Sequence, residues 1–280
     1  MMDIRLIALD MDGTLLNDQK ELSPKNRKAL ESCIRHGILI VPATGRPAAG
    51  IPEMIREIAG IRYAILTNGA RVEDFREGKL ISQERIHWEL AFEILEWISH
   101  YPVAYDPYID GRGKMEARFR NHLEDYGLPP AMQRLVLSSR DEVEHELALV
   151  KSLKTPVEKI NIFTKDKKLR QELWEKLEQH KELAVTSSLD YNVEINAAAA
   201  TKGNALLHLA DYLGLKREQT MAMGDGSNDL SMIEAAGIGV AMANSMEMLK
   251  QKADYITLSN EEDGVAAAIR HFLQLPEEDV

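Results

Sequence analysis

Two carboxylates stand one residue apart where an apolar run ends: Leu6 to Leu9 lead into Asp10, Met11, Asp12, Gly13 and Thr14. A buried carboxylate is costly unless it is paired or holds a cation. Three further stretches supply what such a pair needs. Thr44 and Gly45 follow a second apolar run, Lys202 opens a helical pattern after the tract Ala197 to Ala200, and Asp225, Asn228 and Asp229 follow the run Thr220 to Met223. Together they offer carboxylates, a hydroxyl, an ammonium and glycine-rich turns with free-standing backbone N–H groups. These are the parts that hold a divalent cation and a phosphate side by side.

The chemistry can be assigned part by part. A hard ion such as Mg²⁺ takes oxygen ligands and keeps several waters. Asp10 and Asp225 would each give a carboxylate oxygen and Asp12 its backbone carbonyl. The set contains no histidine or thiolate, which argues against zinc or copper. Asp10 is suited to attack phosphorus, since carboxylates form aspartyl-phosphate intermediates. Mg²⁺ and Lys202 would offset the repulsion between the two anions. The Thr44 hydroxyl and the N–H groups of Met11 and Gly45 would hold the equatorial oxygens, with Asn228 donating another hydrogen bond. Asp12 faces the same side as Asp10 if the backbone stays extended. It would protonate the leaving alcohol, then take a proton from the water that cleaves the acyl phosphate. Each stretch alone has a plainer reading. Asp12-Gly13 is a common turn, Thr44-Gly45 an ordinary strand-to-helix turn, and Asn228 or Asp229 a helix N-cap. Lys202 alone is a solvated lysine, although a cation at a helix start opposes the dipole.

Those residues can meet only if the elements between them are arranged to allow it. Apolar strand patterns at Ile4–Leu9, Ile38–Val41 and Tyr63–Thr67 alternate with helical ones at Ser23–His36 and Ala48–Ala59. This order predicts a parallel sheet with helices on both faces. Val72 to Ser82 reads as a hairpin turning at Arg76 to Gly78. A different unit follows: a helix over Trp88–Ser99, a strand over Val103–Ile109, and a mobile basic loop at Gly111 to Lys114. Short helices near Asn121 and Ala131 come next, and then a βαβ-like stretch from Lys159 through a helix at Lys167–His180 to Leu183–Ser187. The first pattern returns with a helix over Lys202–Leu213, a strand at Thr220–Met223, a helix at Asp229–Ala236, and strands at Ile238–Ala241 and Asp254–Thr257. The expected architecture is α/β, a Rossmann-like doubly wound parallel-sheet core (1–84 and 189–280) with an inserted α+β cap (85–188). Ligands of such sheets lie beyond the carboxyl ends of the strands, where the four stretches would converge.

The motifs DMDGTL, PATGR with Thr44, TKGNAL with Lys202, and GDGSNDLSM resemble those of the haloacid dehalogenase superfamily. The insertion between the threonine and the lysine is similar to that of the Cof-type subgroup of sugar-phosphatase-like hydrolases. The resemblance implies a Rossmann-like core, Mg²⁺ dependence, Asp10 as nucleophile and Asp12 as general acid/base. It also implies Thr44 and Lys202 on the phosphate and Asp225 on the metal. Asp229 is similar to the family's supporting acid, which reaches the metal through water. Many relatives carry glycine or proline just before the lysine, where this chain has Ala197 to Ala200. The expected activity is hydrolysis of small phosphorylated metabolites, sugar phosphates among them, with substrate choice residing in the cap. A phosphomutase or a receiver-like phospho-acceptor is the alternative; Asp12, the second acid, argues against the latter.

Bulk properties bound the rest. A net charge of -11 over 280 residues makes free nucleic acid an unsuitable partner. No apolar run has the length of a membrane span, and the N-terminal apolar stretch is too short for a signal peptide. The lone cysteine, Cys33, excludes an intrachain disulfide and reads as a core residue, which fits the cytoplasm. The eight histidines are scattered without zinc-ligand spacing. The acidic tail Pro276 to Val280 reads as a solvated end, and the chain as a monomer or homodimer.

Overall fold

The computed structural model describes residues 3–273; the tail Pro276 to Val280 lies outside them. In chain order the elements are β1 (Leu6–Leu9), α1 (Pro24–Arg35), β2 (Leu39–Pro42), α2 (Glu53–Arg56), β3 (Tyr63–Leu66), β4 (Arg71–Asp74) and β5 (Lys79–Gln83). Then come α3 (Trp88–Ile98), β6 (Ala104–Ile109), β7 (Arg112–Glu116), α4 (Ala117–Arg120), α5 (Pro130–Ser139), β8 (Arg140–Val143), α6 (Glu146–Leu153), β9 (Lys159–Phe163), α7 (Lys167–Leu177), β10 (Leu183–Thr186) and β11 (Asn192–Ala197). The chain closes with α8 (Lys202–Tyr212), β12 (Thr220–Gly224), α9 (Leu230–Ala235), β13 (Ile238–Ala241), α10 (Glu247–Lys250), β14 (Tyr255–Ile256) and α11 (Gly264–Leu273). They divide into two units. One runs up to Gly45, resumes over Ile51–Ser82 and continues from Thr201; the other is Arg46–Gly50 with Gln83–Ala200.

The first unit is built on a five-stranded sheet in the order β14-β13-β12-β1-β2, and each neighbouring pair is parallel. β1 is central, and all four of its residues are buried, as a parallel strand covered on both faces requires. Leu6 and Ala8 share a core with Leu206 and Leu209 of α8 and Met232 and Ile233 of α9. Ile7 and Leu9, on the opposite face by the two-residue alternation, are equally buried. α1 begins where the sequence predicts, with the Ser23 side chain accepting from the Asn26 N–H and proline in the first turn. Cys33 is buried on it and its thiol is pushed up to about 12 by burial.

Two expectations for this unit are corrected. The helix expected over Ala48–Ala59 is broken into a 3₁₀ turn at Ala48–Gly50 and the four-residue α2. Pro52 between them lacks the N–H that a continuous helix needs and its ring clashes with the preceding turn. β3 is not a full member of the parallel sheet. It is joined to the parallel sheet by an isolated parallel bridge, Ala43↔Ile65, just past the end of β2, and gives its ladder to β4 in an antiparallel hairpin.

The second unit is a six-stranded sheet in the order β10-β11-β9-β6-β7-β8. The βαβ stretch read from sequence is a split one: β11 lies between β9 and β10, antiparallel to both. Its pattern NVEINA puts Val193 and Ile195 into the apolar core and Asn192, Glu194 and Asn196 on the other face. This pairing carries the unit on to Ala200, beyond the boundary at 188/189 drawn from sequence. The expected mobile basic loop at Gly111 to Lys114 is instead a tight hairpin into β7. Asp110 and Gly111 take positive φ at the turn, and Arg112 and Lys114 both pair with Asp141 of β8, at 2.7 and 2.6 Å. β8 and α6 of this unit, and α11 of the first, have no counterpart among the elements expected from sequence.

The polar face of this sheet is buried and cross-linked. Arg140 Nε donates to Asp106 Oδ2 at 2.8 Å and Lys159 Nζ to Glu194 Oε1 at 3.0 Å. Burial raises the Asp106 carboxyl above its ordinary value even with Arg140 beside it. Arg140→Met is therefore expected to destabilise the protein by about 3–5 kcal/mol in urea unfolding, because it strands a buried charge. A second buried group links stability to pH. Glu146 Oε1 accepts from the Glu116 N–H at 2.6 Å. Burial, then the hydrogen bond with Glu116, pushes Glu146 from 4.5 up to about 9. Burial opposes ionisation of Glu116 too, but hydrogen bonds with Glu146 and Arg118 hold it at about 2. Folded Glu146 thus keeps a proton that the unfolded chain releases above about pH 4.5, so its contribution to stability falls as pH rises from there towards about 9. Glu146→Gln should make the thermal midpoint less dependent on pH across that window than it is in the parent.

Candidate active site

The site begins where β1 stops. The Asp10 N–H donates to Met223 O of β12 at 3.0 Å, the last rung before the two strands part. The chain then curls back, with Leu15 N–H bonded to Asp10 O at 3.3 Å and Leu16 N–H to Met11 O at 2.9 Å. Gly13 makes the curl possible at φ +90°. A Cβ there would collide with the Asp225 carboxylate, so glycine is required both by conformation and by the closeness of the two loops. Thr14 reaches across to the other loop: its hydroxyl donates to Asp225 Oδ1 at 2.7 Å. Asn244 Nδ2 donates to Gly13 O at 2.8 Å and pins the loop from the far side.

Lys202 is the first residue of α8, behind an N-cap at Thr201. A cation there runs against the helix dipole. Two acids account for it: Lys202 Nζ lies 2.6 Å from Asp10 Oδ1 and 2.6 Å from Asp229 Oδ1, and its side chain is 0% exposed. Burial alone would lower the ammonium's pKa, but Asp10 and Asp229 hold it above the ordinary value. Asp229 Oδ2 in turn accepts from the N–H groups of Asp225 and Gly226, both at 2.9 Å. Asp229 therefore ties the lysine to the loop that carries Asp225.

Oxygens of Asp10, Asp225 and Asp229 lie within 4.8 Å of one another. Three carboxylates against one ammonium leave two negative charges without balance. The consequence is visible in the acids. Asp10 is raised well above its ordinary value by burial first and the Asp229 charge second, with Lys202 opposing. Asp225 is pushed up to about 7 by burial and Asp229, with the Thr14 hydroxyl pulling the other way. An oxygen-only donor set with two uncompensated charges fits a hard divalent ion such as Mg²⁺.

The other expected residues fall into two small groups. The Asp12 carboxylate stands outside the three-acid cluster and is paired with Lys20 Nζ at 3.1 Å. Met11, next to it, is wholly buried. Thr44 is buried at the end of β2, with its N–H on Ile65 O at 2.9 Å and its carbonyl accepting from the Asn68 N–H at 3.0 Å; Gly45 follows it. Asn228 Nδ2 donates to Asn68 Oδ1 at 3.1 Å. Sequence reasoning missed Lys20, Asn68 and Asn244. Asn68-Gly69 at a strand end was the available signal, since asparagine before glycine marks a left-handed turn; Lys20 and Asn244 carried none.

The closeness of Gly13 to Asp225 gives a paired test. Gly13→Ala is expected to cut p-nitrophenyl phosphate turnover at least about tenfold by displacing the carboxylate. Gly78→Ala, also at positive φ but with nothing within 4 Å of the added methyl, should leave turnover at the parent's level.

The family model of the haloacid dehalogenase-like hydrolases matches residues 7–269. Phosphatase YwpJ of Bacillus subtilis is 34% identical over 292 residues, covering 96% of this chain and 100% of that protein. The 5-amino-6-(5-phospho-D-ribitylamino)uracil phosphatase YcsE of the same organism is 34% identical over 271 residues, 97% of this chain and 96% of that one. The solved structure of a haloacid dehalogenase-like hydrolase from B. subtilis aligns with a TM-score of 0.84 at 32% identity, over 96% of this chain and 100% of its own. The chain, with its parallel core sheet and separate inserted sheet, belongs to the haloacid dehalogenase-like hydrolases, among the Cof-type phosphatases.

Proposed function

We propose that the chain is an Mg²⁺-dependent phosphatase of small phosphorylated metabolites, sugar and polyol phosphates among them, which works through an aspartyl-phosphate on Asp10. The observation that carries this reading is the Lys202 ammonium set between Asp10 and Asp229, with Asp225 beside them. Lys202 holds Asp10 Oδ1 and so orients the carboxylate; Oδ2 attacks phosphorus. The P–O bond to the leaving group breaks, and Asp12 gives that oxygen a proton. Asp12 then takes a proton from water, which attacks the acyl phosphate and frees inorganic phosphate and Asp10. Lys20 keeps the Asp12 side chain in place between the two steps. The Thr44 hydroxyl, the N–H groups of Met11 and Gly45, Lys202 and Asn228 bind the phosphate oxygens. Asp10 and Asp225, with the Asp12 carbonyl and with Asp229 in support, would hold Mg²⁺, which supplies charge stabilisation to the phosphoryl group when bound.

The substrate class draws support from YcsE, which is named for a phosphate carried on a ribityl chain. Among the described residues no helix is long and apolar enough to cross a membrane. We place the enzyme in the cytoplasm, as a monomer or homodimer, in keeping with its one buried thiol. Release of phosphate from p-nitrophenyl phosphate tests the assignment. Asp10→Asn, or EDTA added to the parent, is expected to lower the rate by about 10³ or more; equal rates for Asp10→Asn and the parent would refute the role of Asp10.

A further inference from the structure

The chain leaves β3 through three successive left-handed residues, Thr67 at φ +54°, Asn68 at +60° and Gly69 at +98°, all buried. Glycine takes this conformation freely and asparagine tolerates it. A β-branched residue does so only where its surroundings force it. Strain of this kind persists where the fold over-determines it, and it concentrates at functional sites.

The turn touches three of the segments that build the site. The Asn68 N–H donates to Thr44 O at 3.0 Å. Its Oδ1 accepts from Asn228 Nδ2 at 3.1 Å. Gly69 lies so close to the Thr201 carbonyl, at the N-cap that precedes Lys202, that a Cβ would overlap it. Asparagine joins the two properties this place demands, tolerance of positive φ and an accepting oxygen two bonds from Cβ. An amide nitrogen carries two hydrogens. With one of them held by Asn68, the plane of the Asn228 amide is fixed, and so is the direction of the other.

We propose that Asn68 is a positioning residue of the phosphatase site: its side-chain oxygen orients the Asn228 amide towards the transferring phosphoryl group without touching it. The proposal rests on the phosphatase reading and on Asn228 as a phosphate ligand. Because the contact strengthens as charge builds on the phosphoryl oxygens, its loss reads out in kcat more than in KM.

The test is a double-mutant cycle on p-nitrophenyl phosphate at saturating Mg²⁺. Asn68→Gly keeps the left-handed backbone and deletes only the side chain. It should lower kcat about tenfold to a hundredfold while KM moves less than about threefold and the thermal midpoint stays near the parent's. Added to Asn228→Ala, it should cost almost nothing more. A kcat within twofold of the parent's, or losses that multiply in the double variant, would overturn the proposal. Hydrogen exchange of the Asn228 side-chain amide in ¹⁵N-labelled parent protein gives a readout that needs neither turnover nor a variant that folds. Protection is expected, and exchange as fast as that of an exposed asparagine would overturn the brace. Absence of Asp10-dependent turnover in the parent would count against the phosphatase reading alone.

Discussion

A single ammonium group governs this site. Lys202 Nζ sits wholly buried between Asp10 and Asp229, and each partner leads on to another strand end. Asp10 closes β1. Asp229 reaches back to the N–H groups that follow β12 and so sets the path of the loop bearing Asp225. Without the lysine, the two acids it bridges would face each other in a low-dielectric interior, where one of them would take up a proton. Its charge works against the rise that burial imposes on Asp10, whose carboxyl still stands well above its ordinary value.

The rest of the first unit reads as the means of keeping that arrangement. The parallel sheet presents its strand ends on one side. Glycine at position 13 allows a loop to touch Asp225, and Thr14 and Asn244 fasten the same loop from two directions. Deliberate imbalance remains: the acids outnumber the cation, and burial leaves Asp10 and Asp225 above their ordinary values. Such a site has affinity for added positive charge built into it.

Much of this was legible in the sequence because the chemistry and the periodicity were both local. Asp10, Lys202, Asp225 and Asp229 each sit at the junction of an apolar run and a turn, and these four are the residues the structure brings together. α1 was legible from Ser23 and Pro24, β1 from four apolar residues. What failed was long-range. Nothing near Thr14 says that its partner is 211 residues away. The alternation of NVEINA is a strand signal in itself, but nothing local says that β11 lies between β9 and β10, antiparallel to both. Pro52 was a local signal that should have shortened the helix after Ala48. The basic stretch after Asp110 looked mobile because Asp141, which holds it, lies across the sheet.

The central strand of the first sheet has its partners at opposite ends of the chain: Leu6 faces Leu39 on one side and Thr220 on the other. During synthesis the ribosome must therefore deliver almost the whole polypeptide before this strand is enclosed. Until then an apolar segment lies with one edge open, the circumstance in which nascent chains aggregate or recruit chaperones. The same delay means that a product terminated before Lys202 carries Asp10 but neither the lysine nor the other two acids of the cluster, Asp225 and Asp229, so the cluster cannot assemble on an unfinished chain.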